Sequence, residues 1–203
     1  MALNQTLTVM EMFTNNNLFF IINTISVEET ITDKSFELFV RTITNDIEQY
    51  YKSNAYNEII SLKNVRNEFE IYYMEGDHYL YGIVDKLIIE HDKITIIDYK
   101  TDNVSFENLG ERTKEYLPQL MFYAYVLSKH YSKIEKNSLR LVFLKHADEV
   151  IIKEITLPEL INFGKVVRNS IAKIYTYNFI PNLEHCAGCH FALEGNKCIK
   201  TSL

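Results

Sequence analysis

Apolar residues in this chain recur at two spacings, and each predicts its own kind of element. Between Ser35 and Lys52, Phe36, Phe39, Val40, Ile43 and Ile47 fall three or four residues apart and share one helical face. Asp33 stands ahead of them as an N-cap, and residues up to about Leu62 read as helical. From Asn67 to Ile155 the spacing shortens. His78–Glu90 (HYLYGIVDKLIIE) is dense in β-branched and aromatic residues and predicts a strand. Glu90-His91-Asp92-Lys93 is a polar hairpin turn, and Ile94–Tyr99 (ITIIDY) is the returning strand. SLRLVFLK and EVIIKEI read as strands that close the sheet. Pro118 suits the first turn of a helix running QLMFYAYVLSKHY, and Thr156-Leu157-Pro158-Glu159 opens another from Leu157 to Tyr177. Strands arranged around a central helix predict an α/β sheet with helices on both faces.

Two positions break the apolar pattern. Asp85 interrupts the first strand of the hairpin, and Asp98-Tyr99-Lys100 ends the second. With the turn centred on His91-Asp92, Asp85 and Asp98 lie at similar heights on paired strands. Alternation puts Asp98 and Lys100 on one face with Tyr99 opposite, and Asp85 can join them. Charges in strand cores oppose folding, so such breaks are expected where a site sits. Two carboxylates suit a hard divalent cation, and a lysine beside them can steady an attacking hydroxide or a phosphate. That chemistry is phosphodiester hydrolysis. Asp-x-Lys taken alone would be an ordinary surface pair on a hairpin, worth little.

The sequence here resembles the PD-(D/E)xK nucleases, specifically the RecB-type nuclease domain and its AddA-type flavour. The resemblance rests on Gly82-Ile83-Val84-Asp85, on Ile97-Asp98-Tyr99-Lys100-Thr101-Asp102 and on Gln119-Leu120-Met121-Phe122-Tyr123, in that order, and covers roughly Val65 to Ile155. It implies a restriction-endonuclease-like α/β core, a mixed central sheet flanked by helices, with a helical N-terminal part and a cysteine-bearing tail. One domain over 1–203 is expected: helices in 1–65, the nuclease core in 66–177 and the tail in 178–203. By the resemblance Asp85, Asp98 and the Tyr99 carbonyl would hold Mg²⁺ or Mn²⁺, and Lys100 would be the catalytic lysine. Gln119 and Tyr123, four apart on one helical face, would sit over the site. The family's early histidine ligand has no counterpart, since no histidine precedes His78. Glu11, Glu37 and Glu68 are the substitutes the sequence offers.

Composition adjusts this reading at three points. A formal charge of −6 works against unassisted DNA binding, which needs local positive potential, although bound cations reverse the sign at a carboxylate site. Lys129, His130, Lys133, Lys136, Arg140 and Lys145 form a locally basic run that reads equally as a solvated face. No segment has the length and apolarity of a membrane span or the basic start of a secretory signal, so a cytoplasmic protein is expected. All three cysteines, Cys186, Cys189 and Cys198, fall in one C-terminal window. A C-x-x-C pair there is a chelating unit for zinc or an iron–sulfur cluster, as in relatives resembling AddB-type subunits. The upstream cysteine of that set is missing, and His185 or His190 could supply a fourth ligand.

Two function classes follow. One is a metal-dependent deoxyribonuclease, an exonuclease rather than an endonuclease, acting on DNA ends or single strands in repair, recombination or phage DNA processing. The other is a nuclease-fold module that binds DNA or a helicase partner and cuts weakly or not at all.

Overall fold

The computed structural model describes residues 9–14, 17–22, 33–131, 134–176, 192–193 and 197–198. Its centre is a five-stranded sheet in the order β3 (Val65–Glu75), β4 (His78–Ile89), β5 (Lys93–Lys100), β6 (Lys136–Phe143), β7 (Ile151–Thr156). All neighbours are antiparallel except β5 and β6, which run parallel. A parallel pair needs a crossover, and helix α3 (Leu109–His130) supplies it. Central β5 is buried on both faces, which explains its unbroken ITII run.

Alternation sorts the sheet's side chains into two layers. Leu87, Ile94, Ile96, Leu139 and Leu141 pack under α3 and α4 (Leu157–Tyr175), with Leu120, Ala124, Leu127 and Leu160 from the helices. Ile88, Ile97 and Val142 face the other way, onto Ile47 and Tyr50 of α1 (Asp33–Lys52) and Ile59 of α2 (Asn54–Ser61). The fold is α/β, with helices on both faces of a mixed sheet. Gly164 of α4 lets the helices approach: a Cβ there would lie 2.5 Å from the Tyr125 ring of α3. The carboxylate of Glu159 accepts the Thr156 N–H at 2.8 Å and so caps the start of α4.

Two expectations are corrected. Residues 1–65 do not read as helices throughout, because β1 (Val9–Thr14) and β2 (Asn17–Ile22) pair as an antiparallel hairpin. The run NLFFII is rich in strand-forming residues, and the asparagines at 15–17 favour a turn, so helix signals begin only at Asp33. Pro118 lies inside α3 rather than in its first turn. Of the two readings of the basic run, its described residues favour a dispersed, solvated face. Lys136 and Lys145 flank opposite ends of β6, and Arg140 between them pairs with Glu58 of α2 at 2.7 Å. A last ribbon joins β8 (Ala192–Leu193) to β9 (Lys197–Cys198). No helix among the described residues is long and apolar enough to cross a membrane.

Candidate active site

The β4–β5 ladder runs from Ile89↔Ile94 to Lys86↔Ile97, so Asp85 and Asp98 face each other just beyond its last pair. There the Tyr99 N–H donates to Asp85 Oδ2 at 2.8 Å, replacing a ladder bond with a carboxylate contact. Asp98 is 2% exposed, and its Oδ2 lies 2.7 Å from Lys100 Nζ. Burial pushes the Asp98 carboxyl above the usual carboxylate range, with the charge of Asp85 adding to it, and the Lys100 ammonium offsets only part of this. Tyr99 turns to the opposite layer, where its hydroxyl meets that of Tyr50 at 2.8 Å and fixes the end of β5 against α1.

Helix α3 closes the site from above. Lys100 Nζ donates to Gln119 Oε1 at 3.0 Å, and Gln119 Nε2 donates to the Tyr123 hydroxyl at 2.6 Å. Tyr123 is buried, and its ring occupies the space over Gly82, where a Cβ would sit 2.8 Å from Cε1. This links the separate sequence signals. Gly82 makes room for Tyr123, Tyr123 holds Gln119, and Gln119 holds Lys100. Burial, with the charges of Asp98, Asp85 and Glu68 behind it, keeps the Tyr123 phenol in its neutral form.

Three residues at the site were given no role by the sequence. The Tyr116 hydroxyl donates to Asp102 Oδ2 at 2.6 Å, and Arg112 Nε donates to the same oxygen at 2.6 Å. Lys100 Nζ sits 4.2 Å from the Tyr116 ring centroid. Burial opposes the Asp102 charge, but the bonds from Tyr116 and Arg112 outweigh it and hold the carboxyl below its ordinary range. A usable signal was present: Tyr116, Gln119 and Tyr123 stand at i, i+3 and i+7, one helical stripe. A cleft of about 350 Å³ opens beside them, lined by Asp102, Asn103, Val104, Ser105, Asn108 and Arg112.

Of the acids offered in place of the early histidine, Glu68 alone is seen near the site. Continuing the β3–β4 register places it opposite Asp85, and its charge reaches Tyr123. Its backbone sits at φ +46°, a left-handed conformation costly for glutamate. Glu37 lies exposed on α1, and the Glu11 side chain is outside the described residues. Cys186 and Cys189 also lie outside the described residues, and Cys198 is described only through its backbone in β9. Among the described residues no group of three or more His, Cys, Asp or Glu side chains is gathered to hold a metal. Asp85 and Asp98 would offer a cation oxygen donors only. Hard oxygen donors at a pair of mutually repelling carboxylates, one of them buried, fit a magnesium-like ion that keeps several waters.

The family model of the PD-(D/E)XK nuclease superfamily matches residues 28–192. The chain is 32% identical over 94 residues to a subunit of the ATP-dependent helicase/nuclease of Clostridium acetobutylicum, covering 39% of this chain and 8% of that protein. It is 30% identical over 102 residues to the like-named protein from Clostridioides difficile, covering 50% and 8%. The chain thus spans 8% of the length of either relative. A solved crystal structure, of SSO0001, overlays with a TM-score of 0.44 at 20% identity, covering 79% of this chain and 69% of that one.

Proposed function

This chain belongs to the PD-(D/E)XK nuclease superfamily, and from that premise we propose that it is a divalent-metal-dependent deoxyribonuclease acting as an exonuclease on DNA ends or single strands. The observation that carries the reading is the gathering of Asp85, Asp98 and Lys100 where β4 and β5 part, with Gln119 on Lys100. Asp85, Asp98 and the Tyr99 carbonyl would hold Mg²⁺ or Mn²⁺, which when bound supplies an acidified water and neutralises phosphoryl charge. Lys100 presents a point charge to the attacking water and the scissile phosphate. Gln119 orients that ammonium through its side-chain oxygen, and Tyr123 orients Gln119. Tyr99, tied to Tyr50, keeps the backbone between the two working side chains of β5 in place.

The test compares digestion of linear DNA in Mg²⁺ or Mn²⁺ by the wild type, Asp98→Ala and Lys100→Ala. Loss of cleavage in both variants is expected, and equal cleavage by all three would mark a contaminant and sink the reading. Similarity to helicase/nuclease proteins supports work beside a helicase, with DNA repair, recombination or phage DNA processing as the proposed setting. The clustered Cys186, Cys189 and Cys198 would hold iron–sulfur or zinc, a point settled by metal analysis and the visible spectrum of anaerobically purified protein.

A second reading has its own support. With no histidine before His78 and a formal charge of −6, a weakly cutting module that binds DNA or a helicase is the alternative. Calorimetric titration with Mn²⁺ separates the two. Binding abolished by Asp85→Ala favours the enzyme, and binding indifferent to that change favours the module.

A further inference from the structure

Lys100 is hemmed in on three sides, and two of these belong to the machinery already described. Asp98 Oδ2 stands 2.7 Å from the ammonium and Gln119 Oε1 stands 3.0 Å from it. The third side is an aromatic face, that of Tyr116, with its centroid 4.2 Å from Nζ. A cation over such a face is held by the ring quadrupole, more strongly where water is partly excluded, and the Lys100 side chain is only 14% exposed.

The ring is itself tethered. Its hydroxyl donates to Asp102 at 2.6 Å and accepts from Arg112 Nη2 at 3.1 Å, while Arg112 Nε bonds the same Asp102 oxygen. Behind it stands the fully buried Phe143 ring, with centroids 6.2 Å apart. Asp102 lies two residues beyond Lys100 on the chain leaving β5, so the segment that follows the lysine also holds the ring beneath it.

We propose that Tyr116 is a positioning residue for Lys100: its face, pinned by Asp102 and Arg112, is the floor of a cage that aims the ammonium between Asp98 and Gln119. A flexible four-carbon stem needs such a guide, because a lysine charge misplaced by an ångström loses much of its effect. The inference rests on the nuclease reading for its kinetic consequence, but the cage itself can be tested without turnover.

In metal-free protein carrying ¹³C-labelled lysine, the Lys100 ε-methylene signal is assigned by its loss in Lys100→Arg. The ring current of Tyr116 should displace it upfield of the solvated lysines. Tyr116→Leu should return it to their position, and Tyr116→Phe should keep it displaced. In turnover, Tyr116→Leu should lower kcat roughly tenfold at an unchanged KM, with Phe restoring most of the loss. Should Tyr116→Leu not fold, Arg112→Gln loosens the ring without removing it, and should reduce the displacement. An undisplaced Lys100 signal in the wild type, Leu and Phe variants that behave alike, or an Arg112→Gln signal identical to wild type would overturn the proposal. A displaced signal in a wild type that cuts no DNA would uphold the cage and sink the nuclease reading alone.

Discussion

Gly82 carries a constraint that its neighbours in sequence do not reveal. Replacing a strand glycine with alanine ordinarily gains a few tenths of a kcal/mol or more in backbone entropy. Here the new Cβ would lie 2.8 Å from a Tyr123 ring that is buried and cannot swing away. Gly82→Ala should therefore destabilise the fold by about 1–3 kcal/mol, the usual cost of overpacking, and should slow cleavage by moving Gln119 off Lys100. Denaturant midpoints and single-turnover rates check both effects, and a stabilised, fully active variant would remove this account. Asp98 makes a pH prediction. Its carboxyl holds a proton more tightly folded than unfolded, so the metal-free fold gains stability as pH falls through the raised value, and ionised Asp98 costs stability at neutral pH. A cation bound at Asp98 would have to displace that proton. Mn²⁺ affinity should weaken by about tenfold per pH unit below the raised value, beginning at a higher pH than ordinary carboxylates would show. Calorimetry across that range decides it, with a flat affinity as the contrary outcome. Asp85, Asp98 and Lys100 were legible because charges in apolar strands stand out. Tyr116 was not, because a tyrosine on an amphipathic helix looks like packing until a lysine from another element is placed over it.

At the scale of elements, period-two strands and period-3.6 helices were legible wherever a sheet or helix buries one side, from α1 through α4. The misreadings have a common cause: a local signal judged without its upstream neighbours. Pro118 reads as a helix start because proline fits the first turn. Upstream of it, however, Leu109–Leu117 carries good helix formers, and ion pairs join Lys114 to Glu111 at 2.6 Å and Arg112 to Glu115. These hold the early turns of α3 in spite of the proline. The Lys114 carbonyl loses its i→i+4 donor, and since Pro118 is exposed, water can reach the gap. Pro118→Ala should restore that bond and stabilise the protein by about 1–3 kcal/mol, the lower end applying if the helix has already relaxed around the ring. A rise in the thermal midpoint checks this. A fall would mean that the proline sets the approach of Gln119 to the site and that α3 pays in stability for its position.

For the whole molecule the problem is charge, since the proposed substrate is a polyanion and the chain carries a net −6. Pairing sharpens the difficulty. Arg140 is engaged by Glu58, Arg168 by Glu75, Lys93 by Glu154 and Lys136 by Asp92. With acids outnumbering bases over the chain, the slope of log affinity against log salt should be shallow, about −1 to −2, as for one or two phosphate contacts. Divalent cations should also act in the unusual direction. For a basic DNA-binding protein they compete for phosphate and weaken the complex. Here a cation held by Asp85 and Asp98 would reverse the local sign and give the phosphate something to bind. Fluorescence anisotropy with a labelled single strand, using Ca²⁺ to supply charge while limiting turnover, should show affinity rising with Ca²⁺. Asp85→Ala, which removes one of the two carboxylates, should lose that rise while keeping the shallow monovalent-salt slope. Binding that is tight without divalent cation and falls steeply with salt would place the phosphate contacts on a basic surface elsewhere, and would separate recognition of DNA from the carboxylate pair.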